Sequence, residues 1–226
     1  MMNIALDGPS GAGKSTLAKA LAKKLGYIYT DTGAMYRTIG LAVKRLGIEP
    51  TDTDAVTAAL PEIKISLRFE NGEQKIYLGE EDVGGLIRTN EISAYASKVS
   101  AIPAVRAHLL DVQRNIAKEN NVIMDGRDIG TVILPHAQVK FFVTVSDAER
   151  ARRRYNELIA KGENVTLEEV ASAMAERDRQ DSTREIAPAI PAEDAIFLDN
   201  SGDFDTVIDL AIAIIRDKAK EAGEAV

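Results

Sequence analysis

The sequence predicts an α/β protein whose parallel sheet is covered by helices on both faces. Three observations carry that expectation. Apolar runs alternate with amphipathic helical patterns along most of the chain. After the first, the runs are short or continuously apolar, as strands buried on both faces are. And the first run, Asn3–Asp7, passes straight into a glycine-rich turn and then into the helical pattern TLAKALAKKLG.

Taken in order, the remaining strand candidates are a short Tyr27–Tyr29, then Asn121–Asp125, Val139–Val145 and Ala195–Leu198. The interval between Tyr29 and Asn121 breaks the alternation. Within it, Ile63, Ile65, Leu67 and Phe69 alternate with Lys64, Ser66 and Arg68, and Asn71-Gly72 then precedes a second run, Lys75–Leu78. That pattern predicts a β-hairpin turning at Asn-Gly, set in an inserted subdomain spanning roughly 33–107. Pro103 suits a first helical position, and Val105, Leu109, Val112 and Ile116 follow it at helical spacing. Ser146 with Glu149, and Thr166 with Glu169, read as capping boxes opening two helices joined at Lys161-Gly162-Glu163-Asn164. Apolar residues at 204, 207, 208, 211, 212 and 215 predict a last helix packed on the sheet.

The turn after the first strand is Gly8-Pro9-Ser10-Gly11-Ala12-Gly13-Lys14-Ser15-Thr16, a full match to G-x-x-x-x-G-K-[ST] between a strand and a helix. Gly8, Gly11 and Gly13 permit backbone conformations closed to residues with a Cβ, so successive N–H groups converge on phosphate oxygens at a helix N-terminus. In that reading Lys14 reaches the β- and γ-phosphates of a nucleotide and Ser15 ligates Mg²⁺.

Composition narrows the partners. The chain has 226 residues, 45% of them hydrophobic, enough for one elaborated domain with a sizeable core. Its 28 Lys and Arg against 35 Asp and Glu leave a net charge of −7, which offers nucleic acid or an anionic membrane no chain-wide attraction. Zero cysteines exclude disulfides, thiolate zinc sites and cysteine catalysis, and fit a reducing compartment. No signal-peptide pattern and no run of membrane-spanning length is evident, so the expectation is a cytoplasmic protein. No heptad or long apolar edge calls for a dimer, so the default is a monomer.

A phosphate loop leaves the chemistry open, because switch GTPases, ATPases and small-molecule kinases share it. The guanine-reading N-K-x-D of a GTPase is absent. Arginines instead gather at element ends: Arg37, Arg106, Arg127, the run Arg150, Arg152, Arg153 and Arg154, and the set Arg177, Arg179 and Arg184. Phosphoryl transfer needs such bidentate donors where several phosphates meet. Four arginines in five positions cannot share one helix face, so at least half of Arg150–Arg154 are expected to be solvated or paired with Glu149 and Glu157. Arg177, Asp181 and Arg184 are spaced for one helix stripe, and spacing alone divides evenly between a functional role and an intrahelical ion pair.

The segments GPSGAGKST, DTGAMYR, GEEDVGGLIRTNEI, ASKVSAIPAVR, DGRDIGTVILP, ERARRRYNEL and AERDRQDSTREIAPAIPAEDAIFLDN, in this order and spacing, closely resemble the bacterial cytidylate kinase family from end to end. The resemblance implies a nucleoside monophosphate kinase fold: a five-stranded parallel sheet flanked by helices (1–32 and 108–226), an inserted monophosphate-binding subdomain (33–107) and a short helical lid (150–184). It implies transfer of the ATP γ-phosphoryl to CMP or dCMP with Mg²⁺. By position, Thr32, Arg37 and Arg127 resemble the holders of the acceptor phosphate, and Ser97, Arg106 and Asp128 the readers of cytosine. Arg177, Asp181 and Arg184 resemble the ribose and phosphate contacts that arrive with the lid. Lys14, Arg127 and Arg177 are thereby the catalytic candidates. Thr32 stands where many relatives carry Ser, and both present a hydroxyl.

Cytosine offers an exocyclic amino donor beside a ring acceptor, which an aspartate and an arginine or serine match. Uracil reverses the pattern, and each unpaired buried contact costs about 1–3 kcal/mol. Without the resemblance, the alternative reading of Asp128 is a turn residue capping the next segment, the lesser of the two. Asp125 either orders Mg²⁺-bound water or caps the loop. His108, in mid-helix, and His136, after Pro135, are expected at solvated or core-edge positions without an acid–base role. Two other readings remain open: another small-metabolite kinase on the same core, and a non-catalytic nucleotide-binding protein.

Overall fold

The computed structural model describes residues 1–70 and 73–223. β1 (Asn3–Asp7) runs through the glycine loop into α1 (Lys14–Leu25), and β2 (Ile28–Asp31) leads to α2 (Thr32–Arg45) and α3 (Thr53–Ala59). β3 (Ile65–Glu70), β4 (Glu73–Leu78) and β5 (Glu81–Asp82) come next, followed by α4 (Asn90–Val99) and α5 (Pro103–Glu119). β6 (Val122–Asp125) and β7 (Val139–Thr144) flank a π-helical turn, Ile129–Ile133. α6 (Asp147–Ala160), α7 (Leu167–Thr183), β8 (Ile196–Asp199) and α8 (Phe204–Ala222) complete the chain. Each expected strand is present, displaced by a residue or two at its ends.

Among the described residues the strands form a five-stranded sheet in the order β2-β6-β1-β7-β8 and a three-stranded sheet in the order β3-β4-β5. β1 and β7 pair in parallel with Ile4 opposite Val139, and β7 and β8 with Phe141 opposite Ile196. The four residues of β6 are all buried, as are the last four of β1. Strands covered on both faces gain burial at every position, which is why they read as unbroken apolar runs.

Contacts divide the chain into two compact units, Met1–Tyr27 with Ile123–Val226, and Ile28–Val122. The first holds the helices that follow β1, β7 and β8. On α8, Val207, Ile208, Ala211, Ile212 and Ile215 are buried while Leu210 is exposed, the expected stripe except at Phe204, which opens the helix and is exposed. α6 and α7 close on each other through Ala151, Leu158, Val170 and Met174. Thr166 makes its full capping box, whereas at Ser146 only half forms. The Ser146 hydroxyl accepts from the Glu149 amide, but the Glu149 carboxylate is held by Arg152 and Arg153 instead of returning to the cap.

In the second unit, Met35, Ile39 and Val43 of α2 share a core with Val56 of α3, Ile76 of β4, Ile92 and Val99 of α4 and Leu109 of α5. β3 and β4 are antiparallel, from Ile65 opposite Leu78 to Glu70 opposite Glu73. The Asn71-Gly72 turn expected there lies outside the described residues. β5, two exposed acidic residues, was not anticipated, since it has no apolar alternation to mark it. No helix among the described residues is long and apolar enough to cross a membrane.

Candidate active site

The loop after β1 takes its shape from glycine. Gly8 has φ +143, and a Cβ built there would lie 2.3 Å from the carbonyl oxygen of Val143, so no other residue fits. At Gly13, φ +82, a Cβ would meet the Asn200 amide at 2.4 Å, and that same amide donates to the Ala12 carbonyl at 2.9 Å. Gly13 is also the cap of α1. It offers no side-chain acceptor, and the first turn of α1 carries no acidic residue. The first amides of α1 therefore keep their donors for an anion, where the helix dipole adds to their pull.

Lys14 is buried, its ammonium donating to the carbonyls of Gly8 and Pro9 at 2.7 Å each. Burial, with the Arg127 guanidinium and more distantly that of Arg177, pulls its pKa well below the usual lysine value. The exposed Ser15 donates its hydroxyl to the buried Asp125 carboxylate at 2.7 Å. Arg127 donates through Nε to Asp181 at 3.0 Å and through a terminal nitrogen to the Gly8 carbonyl at 2.9 Å. Arg184 lies 3.8 Å from Asp181 and 3.7 Å from the buried Asp128. A chain of alternating charge thus links Asp128, Arg184, Asp181 and Arg127, the last reaching the rim of the loop.

A second cluster fixes the loop's tip. The Asp178 carboxylate accepts from the Ser10 amide at 3.2 Å and from Arg150 at 2.5 Å, and Arg150 also donates to the Ser10 carbonyl at 2.8 Å and pairs with Asp147. Of the arginine run, only Arg150 is buried. Arg152 and Arg153 pair with Glu149 and Arg154 with Glu157, as their spacing suggested, and Arg153 also donates to the Asn200 carbonyl. The expected stripe of Arg177, Asp181 and Arg184 is corrected in one respect. α7 ends at Thr183, and Arg184 is extended with ψ 144, so it reaches Asp181 from beyond the helix rather than along its face.

The second unit carries the other predicted residues. Thr32 opens α2 and is buried. Asp31 caps that helix by accepting from the Ala34 amide at 2.9 Å, and its other oxygen accepts from Arg37 at 2.9 Å. The Nε of Arg37 is buried with no partner among the described residues, a loss of about 1–3 kcal/mol that an anionic ligand would recover. Arg106 is buried on α5, donating to the Ser100 carbonyl at 3.2 Å, with its guanidinium 5.5 Å from the centre of the Tyr36 ring. Ser97, half-buried on α4, accepts through its carbonyl from Ser100. His108 and His136 are both exposed.

Sequence reasoning missed Asp7, Asp31, Gln74, Asp178 and Asn200. Asp7 had a legible signal, a carboxylate ending an otherwise apolar strand. It is buried and accepts from the amides of Ile129 at 2.8 Å and Gly130 at 2.7 Å, at the head of the turn that follows Arg127 and Asp128. Burial raises its pKa to about 6 against the pull of those two amides, with Asp128 adding to the rise. Asp31 too leaves a local signal, an aspartate capping the helix that begins at the next residue, whereas Gln74, Asp178 and Asn200 act across elements and leave no local pattern.

A parallel sheet, a glycine loop at the head of α1 and arginine-bearing helices around that loop define a P-loop kinase fold. Solved structures share it at low identity: a gluconokinase from Sinorhizobium meliloti, TM-score 0.50 and 14% identity over 98% of this chain and 95% of that one, and a shikimate kinase from Bacteroides thetaiotaomicron, TM-score 0.50 and 13% identity over 95% and 98%. The family model for cytidylate kinase matches residues 4–217. The cytidylate kinase of Geobacter sulfurreducens is 50% identical over 96% of this chain and 94% of its own length. That of Carboxydothermus hydrogenoformans is 49% identical over 89% and 90%. The chain belongs to the cytidylate kinase family, as the resemblance of its motifs implied.

Proposed function

We propose that the protein transfers the γ-phosphoryl group of ATP to CMP and dCMP, giving ADP and the corresponding diphosphates. The observation that carries the reading is the chain of paired charges Arg127, Asp181, Arg184 and Asp128 beside a loop holding a buried Lys14. The acceptor phosphate is already an anionic nucleophile at neutral pH. An oxygen of it attacks the γ-phosphorus as the bond to the β,γ-bridging oxygen breaks, so the protein's task is alignment and charge neutralisation rather than proton removal. With nucleotide bound, Lys14 leaves the loop carbonyls for the β- and γ-phosphates, and Arg127 and Arg177 stabilise charge on the transferring group.

Thr32 and Arg37 are assigned with Arg127 to the acceptor phosphate, Ser97, Arg106 and Asp128 to cytosine, and Asp181 and Arg184 to ribose and phosphate. The family pattern supports each assignment, and the unpartnered Nε of Arg37 adds to it. Mg²⁺, when bound, would neutralise charge on the phosphates. Ser15 would hold it, with Asp125 placed to accept from that hydroxyl or from a metal-bound water.

The test is ADP release from ATP and Mg²⁺ with each common nucleoside monophosphate, and with shikimate and gluconate as controls. CMP and dCMP should give the highest kcat/KM, with UMP well below. Faster turnover of any other acceptor would overturn the assignment.

A further inference from the structure

The three-stranded sheet has no part in the chemistry above, yet one of its side chains reaches the junction of β2 and α2. Gln74, on β4, accepts through Oε1 from the Asp31 amide at 2.9 Å, and its Nε2 donates to the Asp31 carbonyl at 3.4 Å. One primary amide therefore engages both backbone groups of a single residue, much as a neighbouring strand would. Asp31 is no ordinary strand end. One of its carboxylate oxygens caps α2 and the other grips Arg37, while Thr32 is the next residue along the chain. Rotation of the Asp31 backbone would swing the cap, the Arg37 guanidinium and the Thr32 hydroxyl together.

We propose that Gln74 is a positioning residue for the acceptor: by clamping the Asp31 backbone it holds Arg37 and Thr32 in the orientation that receives a phosphate monoester. The proposal rests on the reading that Arg37 binds the acceptor phosphate. It gives the inserted sheet a task, since β4 carries Gln74 and the antiparallel pairing of β4 with β3 and β5 fixes the strand. Asp31, with its backbone clamped and its carboxylate shared between the helix cap and Arg37, has few ways to turn.

The experiment compares steady-state kinetics and melting of the full chain and of Gln74→Met, Gln74→Glu, Arg37→Ala and the double variant Gln74→Met with Arg37→Ala, varying CMP and ATP separately. Methionine keeps the length and apolar stem of glutamine and removes both hydrogen bonds, and the KM for CMP should rise about fivefold. The KM for ATP should stay within about twofold, and the melting temperature within about 4 °C. Gln74→Glu keeps an acceptor for the Asp31 amide but sets a carboxylate against the Asp31 carbonyl, and should be impaired at least as much. In the Arg37→Ala background, Gln74→Met should add a smaller rise than it does alone, because only the Thr32 hydroxyl is left for it to orient. A raised KM for CMP in Arg37→Ala beside an unaltered one in Gln74→Met would overturn the proposal alone, as would full additivity in the double variant. An unaltered KM in Arg37→Ala would overturn the acceptor reading, and the proposal with it.

Discussion

Asp7 lets the pH dependence of stability be worked from the structure. Its folded pKa is about 6 against an ordinary value of 3.8, raised chiefly by burial, so the carboxyl binds its proton more tightly folded than unfolded. Its stabilising contribution is therefore fully present below pH 3.8 and is lost as pH rises through about 6. A difference of 2.2 units, at about 1.36 kcal/mol each, makes that loss about 3 kcal/mol. The charges facing Asp7 are Asp128, which repels, and Lys14, which attracts, and neither cancels the burial cost. Asp7→Asn has no proton to lose, so subtracting its stability from that of the wild type removes the titration of every carboxylate they share. About 2.4 kcal/mol of that loss falls between pH 4 and pH 7.5, so at about 2–4 °C per kcal/mol for a chain of this size the wild-type melting temperature minus that of Asp7→Asn should fall by about 5–10 °C across that range. Thermal melts followed by circular dichroism across that range measure it. A difference that stays flat would show that Asp7 does not titrate there, and that the two amides from Ile129 and Gly130 fully offset its burial.

Lys14→Ala should keep the wild-type circular dichroism spectrum and lower kcat for CMP by about 100-fold to 1000-fold, since one main charge stabiliser commonly supplies about 3–4 kcal/mol; near-normal turnover would remove the loop lysine from the mechanism. Asp128→Ala should raise the KM for CMP and shrink the preference over UMP, because the group that rejects uracil is gone; an equal loss with both acceptors would place Asp128 outside base recognition. Arg177→Ala should lower kcat for CMP at least about tenfold with a much smaller effect on ATP affinity. Amide exchange across 150–184 should slow when a bisubstrate analogue binds. Wild-type turnover in Arg177→Ala together with unchanged exchange would reduce those helices to a solvated face.

What the chain states locally was legible in it. The phosphate loop could be read because its nine residues are contiguous and their spacing is the mechanism, with glycines where the backbone must bend and a helix start where the anion must sit. Buried parallel strands were legible because burial on both faces leaves unbroken apolar runs, and the Pro103 helix start and the Thr166 capping box because each is set by residues a few positions apart. The residues proposed to hold the acceptor were not legible from spacing; only the resemblance of several motifs in order named them. What tertiary structure decided was partnership and burial. Arg127 meets Asp181 across 54 positions, Arg150 meets Asp178 across 28, and Gln74 meets Asp31 across 43, and no periodicity encodes such pairs. Arg184 fits a helical stripe by its numbering, yet the chain turns extended at that residue and brings it to Asp128 by another route. The sequence carries no sign of the shifted pKa values of Asp7 and Lys14, which come chiefly from the fold removing water from both, with Asp128 adding to the first and Arg127 to the second.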